Sequence, residues 1–158
     1  MSVNKYLPHV FILPEDDANR QIANGFLLSL ATRQVYVLRE AGGWANVMDR
    51  FVSDQLRGME QNLDRFMVLL VDFDRNLNRL LDVSAVIPQH LSGRVFILGA
   101  FSEPEALRQA GLGTYEAIGR ALADDCRAGG QTIWGHHLLQ HNQIELNRLR
   151  QHVLPILF

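Results

Sequence analysis

The sequence contains one cysteine and one lysine, and these shortages exclude several kinds of chemistry. A lone Cys126 in a chain of 158 residues provides neither an internal disulfide nor a multi-cysteine zinc site. Its helical surroundings predict a buried, inert thiol. Lys5 stands beside fourteen arginines. A lysine base, Schiff base or phosphate clamp therefore has a single candidate, near one end of the chain.

Long hydrophobic runs and linkers are also missing. No apolar run approaches the roughly 18 residues that span a bilayer, and "MSVNKYLPHV" lacks a basic region followed by an apolar one. We therefore expect a soluble, cytoplasmic protein without membrane contact. The net charge of −2 does not indicate strong nucleic-acid binding, although a local patch is compatible with it. No Pro/Gly/Ser-rich segment divides the chain, so we expect one domain over residues 1–158.

Four apolar runs alternate with helical patterns along the chain. The runs are "HVFIL", "RQVYVLREAGG", "RFMVLLVDFD" and "GRVFILGAF". Continuous apolar character predicts burial on both faces, as in a parallel sheet, and the alternation indicates βαβ units. The predicted fold is a single α/β domain. A mostly parallel four-stranded sheet flanked by helices covers residues 8–110, and a helical C-terminal extension covers residues 111–158.

Capping patterns predict where several helices begin. Asp16 or Asp17 is expected to cap the first helix, and Thr114 a later one. Ser102 is expected to cap the helix after the fourth strand, with Glu105 completing a capping box.

The tail is predicted to be helical up to Pro155, and it contains His136, His137 and His141. On a helix, His137 and His141 have the spacing of zinc ligands. Leucines occupy the positions where a zinc protease places its glutamate base. We favour surface or interface histidines, with His141 and Asn142 bonding a neighbouring loop. Zinc and phosphate contact are the two alternatives.

The chain ends in "VLPILF", which is strongly apolar for a terminus. This segment either folds back onto the sheet or contacts another subunit. A homo-oligomer or a protein partner is therefore one expectation for the tail.

Acidic residues follow three of the four predicted strands. Glu15 follows the first strand, Asp72 and Asp74 the third, and Glu103 and Glu105 the fourth. The carboxyl ends of parallel strands meet at one edge, where α/β sheets bind ligands. Residues two apart on an extended backbone point the same way, so Asp72 and Asp74 are expected to converge. Close carboxylates repel unless a cation or a proton intervenes, and Mg²⁺ takes oxygen ligands.

These residues also have structural explanations. Asp16 and Asp17 serve as helix caps, Glu105 fits a capping box, and Asp74 is placed to begin a helix. Asp72 is harder to explain, because a charge behind five apolar residues is costly without a partner. Pairing with an arginine is its main alternative to a metal.

The glutamate after the first strand and the Asp-x-Asp after the third resemble the Toprim domain of topoisomerases, primases and overcoming-lysogenization-defect-type nucleases. The resemblance covers roughly residues 8–110. It implies that Glu15, Asp72 and Asp74 bind Mg²⁺ or Mn²⁺ for phosphodiester cleavage or transfer on nucleic acid. Glu103 or Glu105 would be the further acidic residue of the nuclease members. Small stand-alone relatives occur in bacterial nucleic-acid processing and defence.

The sequence departs from the Toprim pattern at two points. Asp16 follows the glutamate where the family usually has glycine, and no lysine lies near the motifs. Arg75, Arg94 or Arg20 would have to supply the electrostatic role of that lysine. A domain with a tyrosine nucleophile is also missing, which argues against a complete topoisomerase.

A glycine pair in "REAGGWAN" precedes a predicted helix. The backbone N–H groups of Gly42 and Gly43 and the helix N-terminus predict an anion site, with Arg20 as a further phosphate ligand. The pattern matches neither a Walker loop nor Gly-x-Gly-x-x-Gly. Trp44 is interpreted as a core residue.

Three functions follow from these patterns. The first is a metal-dependent nuclease or phosphotransfer enzyme in which Arg75 stabilises phosphate charge. The second is a catalytically degenerate Toprim-like subunit that contacts a partner through its apolar tail. The third is a nucleotide-binding or phosphate-binding regulator that uses Gly42 and Gly43.

Overall fold

The computed structural model describes residues 3–158, which form a four-stranded parallel sheet covered by helices on both faces. The strand order is β2-β1-β3-β4. The strands are β1 His9–Pro14, β2 Val35–Val37, β3 Arg65–Leu70 and β4 Val95–Leu98. This arrangement confirms the predicted α/β class and the parallel sheet.

The connections between the strands are helical. The helices are α1 Asp17–Leu28, α2 Trp44–Arg50, α3 Leu56–Gln61, α4 Asn78–Ser84, α5 Pro104–Gln109, α6 Tyr115–Ala128 and α7 Gln143–Leu157. A π-helical segment, Phe51–Gln55, joins α2 to α3, and 3₁₀ turns cover Gln89–Arg94 and Gln140–Asn142. Across residues 3–158, no helix combines the length and the apolar character needed to cross a bilayer.

Alternate residues of β1, β3 and β4 face opposite sides of the sheet, and both sides are buried or nearly so. Val68 of β3 packs with α1, α6 and α7 on one face, whereas Met67 and Leu69 pack with α2, α3 and α4 on the other. Burial on both faces is the reason for the unbroken apolar runs of the sequence.

Helices α6 and α7 complete one face of the sheet. Ile118 and Leu122 of α6 and Leu149 and Val153 of α7 belong to the same core cluster as the strands. Residues of the predicted C-terminal extension, 111–158, thus contribute to the same core as the strands. Val153 is 0% and Leu157 3% exposed, so the apolar tail folds back onto the sheet.

Side chains around the start of α7 also close the free edge of β4. The Glu145 carboxylate accepts the N–H of Ile97 at 2.9 Å. The Asn142 amide accepts the N–H of Gly99 at 3.0 Å and donates to its carbonyl at 2.9 Å. These bonds replace those of a fifth strand and protect an edge that would otherwise expose unpaired groups. They also confirm that Asn142 bonds a neighbouring segment.

The caps of α1 and α6 were predicted correctly, whereas that of α5 was not. Asp16 accepts the N–H of Asn19 at 2.9 Å, and Thr114 accepts that of Ala117 at 3.1 Å. Helix α5 has Pro104 as its first residue, which makes Glu103 its N-cap. In the part of the chain that the structure describes, this N-cap forms no side-chain bond, so the capping box of Ser102 and Glu105 was wrong. The fixed φ of proline sets the helix start one residue later than expected.

The tail helix begins later than predicted and continues through Pro155. Helix α7 starts at Gln143, so His136 and His137 lie in turns and His141 in a 3₁₀ turn. The prediction that His137 and His141 share one α-helical face was therefore wrong. Asn142 is held at the β4 edge, and this contact places the helix start after the histidines.

Close packing of α1 on α6 gives a first prediction. A Cβ added at Gly119 would lie 2.0 Å from the Ile22 carbonyl oxygen, which is backbone and cannot move aside cheaply. We expect Gly119→Ala to lower the free energy of unfolding by about 2–3 kcal/mol. Urea denaturation followed by circular dichroism measures the change. Gly93→Ala is the matched control, because the added Cβ meets nothing within 4 Å. An equal effect of both substitutions would contradict the close-packing explanation.

Candidate active site at the carboxyl edge of the sheet

Glu15 is buried where β1 ends. Its side chain is 8% exposed, and its Oε2 accepts the backbone N–H of Asp72 at 2.6 Å. Burial raises the pKa of the Glu15 carboxyl, and the charge of Asp16 adds to this. The N–H groups of Asp72 and Trp44 and the charge of Arg79 act in the opposite direction. Glu15 therefore links the ends of β1 and β3 as a desolvated carboxylate.

Asp72 lies just beyond β3, on the face covered by α1. The amide nitrogen of Asn19, in the first turn of α1, donates to Asp72 Oδ1 at 2.9 Å and to Asp16 Oδ1 at 3.0 Å. Asn19 itself is 1% exposed. One amide group thus holds two carboxylates together at the edge of the sheet.

The pKa of Asp72 is raised to about 7. Burial is the main cause, and the negative charges of Glu15, Asp16 and Glu105 add to it. The hydrogen bond from Asn19 opposes the shift but does not cancel it. Near neutral pH, Asp72 is therefore poised between its protonated and charged forms, and a cation would favour the charged form.

Asp74 does not converge with Asp72 as expected. The chain leaves its extended path after Phe73, since Asp74 and Arg75 have φ values of 49° and 58°. The Asp74 side chain is 74% exposed, and its carboxylate lies 3.8 Å from Arg79. The rule that residues two apart point the same way holds only on an extended backbone. This left-handed turn is the reason that the predicted convergence was wrong.

Arg79 of α4 joins the site, although no motif in the sequence indicated it. Its Nη1 donates to the Asp72 carbonyl at 2.8 Å, and its guanidinium lies 4.6 Å from the centre of the Trp44 ring. Its side chain is only 14% exposed. The six residues between Asp72 and Arg79 include an irregular turn, so the sequence contained no periodic pattern that would indicate this contact.

The glycine pair is engaged within the protein. The N–H groups of Gly42 and Gly43 donate to the Glu15 carbonyl oxygen at 2.7 and 3.1 Å. Both glycines have positive φ values, 90° and 131°, which favour glycine. These donors fix the turn that ends in Trp44, so they are not free for a phosphate as predicted.

The arginines expected to replace a lysine lie in different places. Arg20 contacts Asp17 and forms an ion pair with Glu40 at 3.2 Å, which neutralises it. Arg75 is exposed in the turn after Phe73. Arg94 precedes β4, at the opposite edge of the sheet, and donates to backbone carbonyls there, including that of Met59 at 2.9 Å. Arg94 is therefore excluded from the lysine role.

The two glutamates after β4 differ in their relation to Asp72. Glu105, in the first turn of α5, is exposed but near enough for its charge to raise the pKa of Asp72. Glu103 is exposed at the N-cap of α5. Glu105 is the better supported of the two as an additional acidic group.

The three histidines of the tail lie in two different surroundings. The rings of His136 and His137 stack at 4.4 Å, and the His141 ring packs edge-on against Phe73 at 4.9 Å. Burial lowers the pKa of His141, although the Gly99 backbone opposes this. Between residues 3 and 158, no group of three or more His, Cys, Asp or Glu side chains is arranged to hold a metal. A cation at the sheet edge would therefore have at most two ligands from these four side-chain types in this conformation.

Asn19 and Arg79 are the site residues that sequence reasoning missed. Asn19 follows the N-cap Asp16 by three residues and precedes the buried Ile22 by three. This helical spacing places Asn19 on the inner face of α1, which is the pattern that would have identified it.

Comparison of the chain with protein-family models, with curated proteins and with solved structures finds no match. The resemblance to Toprim domains stays a prediction from the sequence motifs.

The raised pKa of Asp72 gives a second prediction, on pH-dependent stability. From about pH 4 to pH 7 the folded state holds a proton on Asp72 that the unfolded state has released. The contribution of Asp72 to the free energy of unfolding therefore falls as pH rises. Asp72→Asn should remove this pH-dependent loss of stability. We expect the free energy of unfolding of the variant, relative to that of the wild type, to increase by about 3 kcal/mol from pH 4 to pH 8. Thermal or urea unfolding of both proteins at both pH values measures this difference. Titrating groups that the two proteins share contribute equally to both and therefore cancel.

Asp74→Asn is the control for loss of a negative charge in the same loop. A gain for Asp74→Asn equal to that for Asp72→Asn would show that net charge, and not burial of Asp72, sets the pH dependence.

Proposed function

We propose that this chain is a divalent-cation-dependent protein that cleaves or transfers phosphodiesters in nucleic acid. Glu15 and Asp72 are its cation ligands. The observation that carries the proposal is the pair itself, in which Glu15 is buried and Asp72 half-buried. The Glu15 carboxylate accepts the backbone N–H of Asp72 at the ligand-binding edge of a parallel sheet, and the negative charges of Asp16 and Glu105 disfavour the charged form of Asp72.

The donor set fits Mg²⁺ or Mn²⁺. Magnesium prefers oxygen ligands and commonly binds through one or two carboxylates, completing its shell with water and substrate phosphates. Within the described residues, the ion pairs of this edge involve Asp17, Glu40 and Asp74 but neither Glu15 nor Asp72. The charges that a cation would neutralise are therefore uncompensated by direct ion pairs. When bound, such a cation activates water and neutralises phosphoryl charge.

Arg79 supplies fixed positive charge beside the carboxylates. Its guanidinium is positioned by the Asp72 carbonyl and by the face of Trp44, and it lowers the pKa of Glu15. We assign to Arg79 the electrostatic role that the missing lysine has in the resembling nucleases. A planar guanidinium also suits phosphate oxygens. Arg75, exposed in the adjacent turn, is the second candidate for contact with phosphate.

The nucleic-acid substrate is inferred from the Toprim resemblance. The two other functions have less support. The apolar tail residues Val153 and Leu157 are buried in the core, and the N–H groups of Gly42 and Gly43 bond Glu15. A partner surface on the tail would need apolar side chains that are buried in the core. A phosphate loop at the glycines would need N–H groups that already donate to Glu15.

Calorimetric titration of Mg²⁺ and Mn²⁺ into the purified protein tests the cation site. We expect binding that is lost in Asp72→Asn and in Glu15→Gln but kept in Asp74→Asn, because Asp74 points to solvent. If all three substitutions abolish binding, Asp74 moves to the site on binding, as the Toprim resemblance implies. Retention of wild-type affinity in Asp72→Asn would overturn the assignment of Asp72.

Proton release provides a second readout. Since a carboxylate ligand must be deprotonated, binding at pH 6.5 should release about one proton per cation, and binding at pH 8.5 almost none. Calorimetry in buffers of different ionisation enthalpy measures this number. Equal release at both pH values would exclude Asp72 as the titrating ligand.

Cleavage assays on single-stranded and double-stranded DNA and RNA test the reaction. We expect cation-dependent cleavage that Asp72→Asn reduces at least 100-fold and Asp74→Asn reduces less, with folding verified by circular dichroism. Cation binding without cleavage of any of these substrates would retain the site and overturn the nuclease. No cation binding at millimolar concentration, even with nucleic acid present, would overturn both.

A further inference from the structure

An apolar cavity of about 80 Å³ lies between the sheet and the helices α1, α6 and α7. Val10 and Val68 line it from the strands, Ala23 from α1, Leu122 from α6 and Leu149 from α7. It is therefore lined by the same elements that form one half of the core.

The polar side chains in the cavity wall are already bonded elsewhere. The Trp134 indole N–H donates to the Leu122 carbonyl at 3.0 Å, and the Asn142 amide is paired with the backbone of Gly99. The Asn19 amide donates to Asp16 and Asp72. A buried water needs two to four polar partners, so this space favours an apolar occupant.

The volume limits the kind of occupant. An empty apolar cavity lowers stability in proportion to its volume, so an occupant that fits is favoured. An engineered apolar cavity of about 150 Å³ binds benzene or xenon. A cavity of about half that volume fits xenon or a compact alkyl group of a few carbon atoms.

Asn19 connects this cavity to the carboxylates. It lines the cavity together with Ile22 and Ala23, which follow it on α1, and its amide bridges Asp16 and Asp72. An occupant pressed against α1 therefore contacts the helix turn that holds the carboxylates.

We propose that this cavity binds a small, uncharged, apolar molecule and that its occupancy is transmitted to Asp72 through Asn19. Binding itself does not depend on the proposed cation chemistry. The effect of occupancy on Asp72 does involve a carboxylate of the proposed cation site. It is therefore tested on the metal-free protein.

Xenon is the probe for the test. We expect saturable NMR shifts of the lining methyl groups in the full chain under xenon pressure, without added metal. The Asn19 side-chain amide and the Asp72 backbone N–H should shift along the same binding curve. Val68→Ile adds one methylene on the cavity side of β3. It should weaken xenon binding at least about threefold and raise Tm by about 2–3 °C.

Val95→Ile is the matched control, because Val95 is a buried strand residue on the opposite face. We expect it to leave xenon affinity unchanged. Absence of saturable shifts, or an equal loss of affinity in both variants, would overturn the binding site. Saturable shifts of the methyl groups with Asn19 and Asp72 unaffected would overturn the transmission, whatever the result of the cation titrations.

Discussion

A parallel sheet must be covered on both faces, and the rest of this structure depends on that constraint. Helices α2, α3 and α4 cover one face of the sheet. Helix α1 covers only part of the other face, and α6 and α7 cover the rest. The residues after β4 are thus required for the core. They also supply Asn142 and Glu145, which bond the edge of β4 in place of a further strand.

The same constraint brings the acidic residues together. Parallel strands end at one edge, so Glu15 and Asp72 meet there, where the surrounding helices bury Glu15 and partly bury Asp72. Burial makes their charges costly, and the hydrogen bonds from Asn19 and from the Asp72 backbone recover only part of that cost. A bound cation would offset this cost, which is the physical basis of the proposed function.

The strands and several helix starts could be predicted from the sequence, whereas one turn and one helix boundary could not. The four apolar runs, the N-caps at Asp16 and Thr114 and the buried Cys126 were all evident from local patterns. The turn after Phe73 was not, because two non-glycine residues adopt positive φ there. The predicted tail helix was too long, since the bonds of Asn142 to Gly99 fix where α7 begins.

The sequence by itself determined the α/β class, the parallel sheet and the delivery of Glu15 and Asp72 to its carboxyl edge, because hydrophobic periodicity and strand direction are local properties. Tertiary structure alone decided that Asp74 points away, that Gly42 and Gly43 bond Glu15, and that Arg79 and Asn19 join the site. These contacts join segments distant in the chain. Their geometry depends on how the helices dock on the sheet, and the local pattern shows only that Asn19 faces inward.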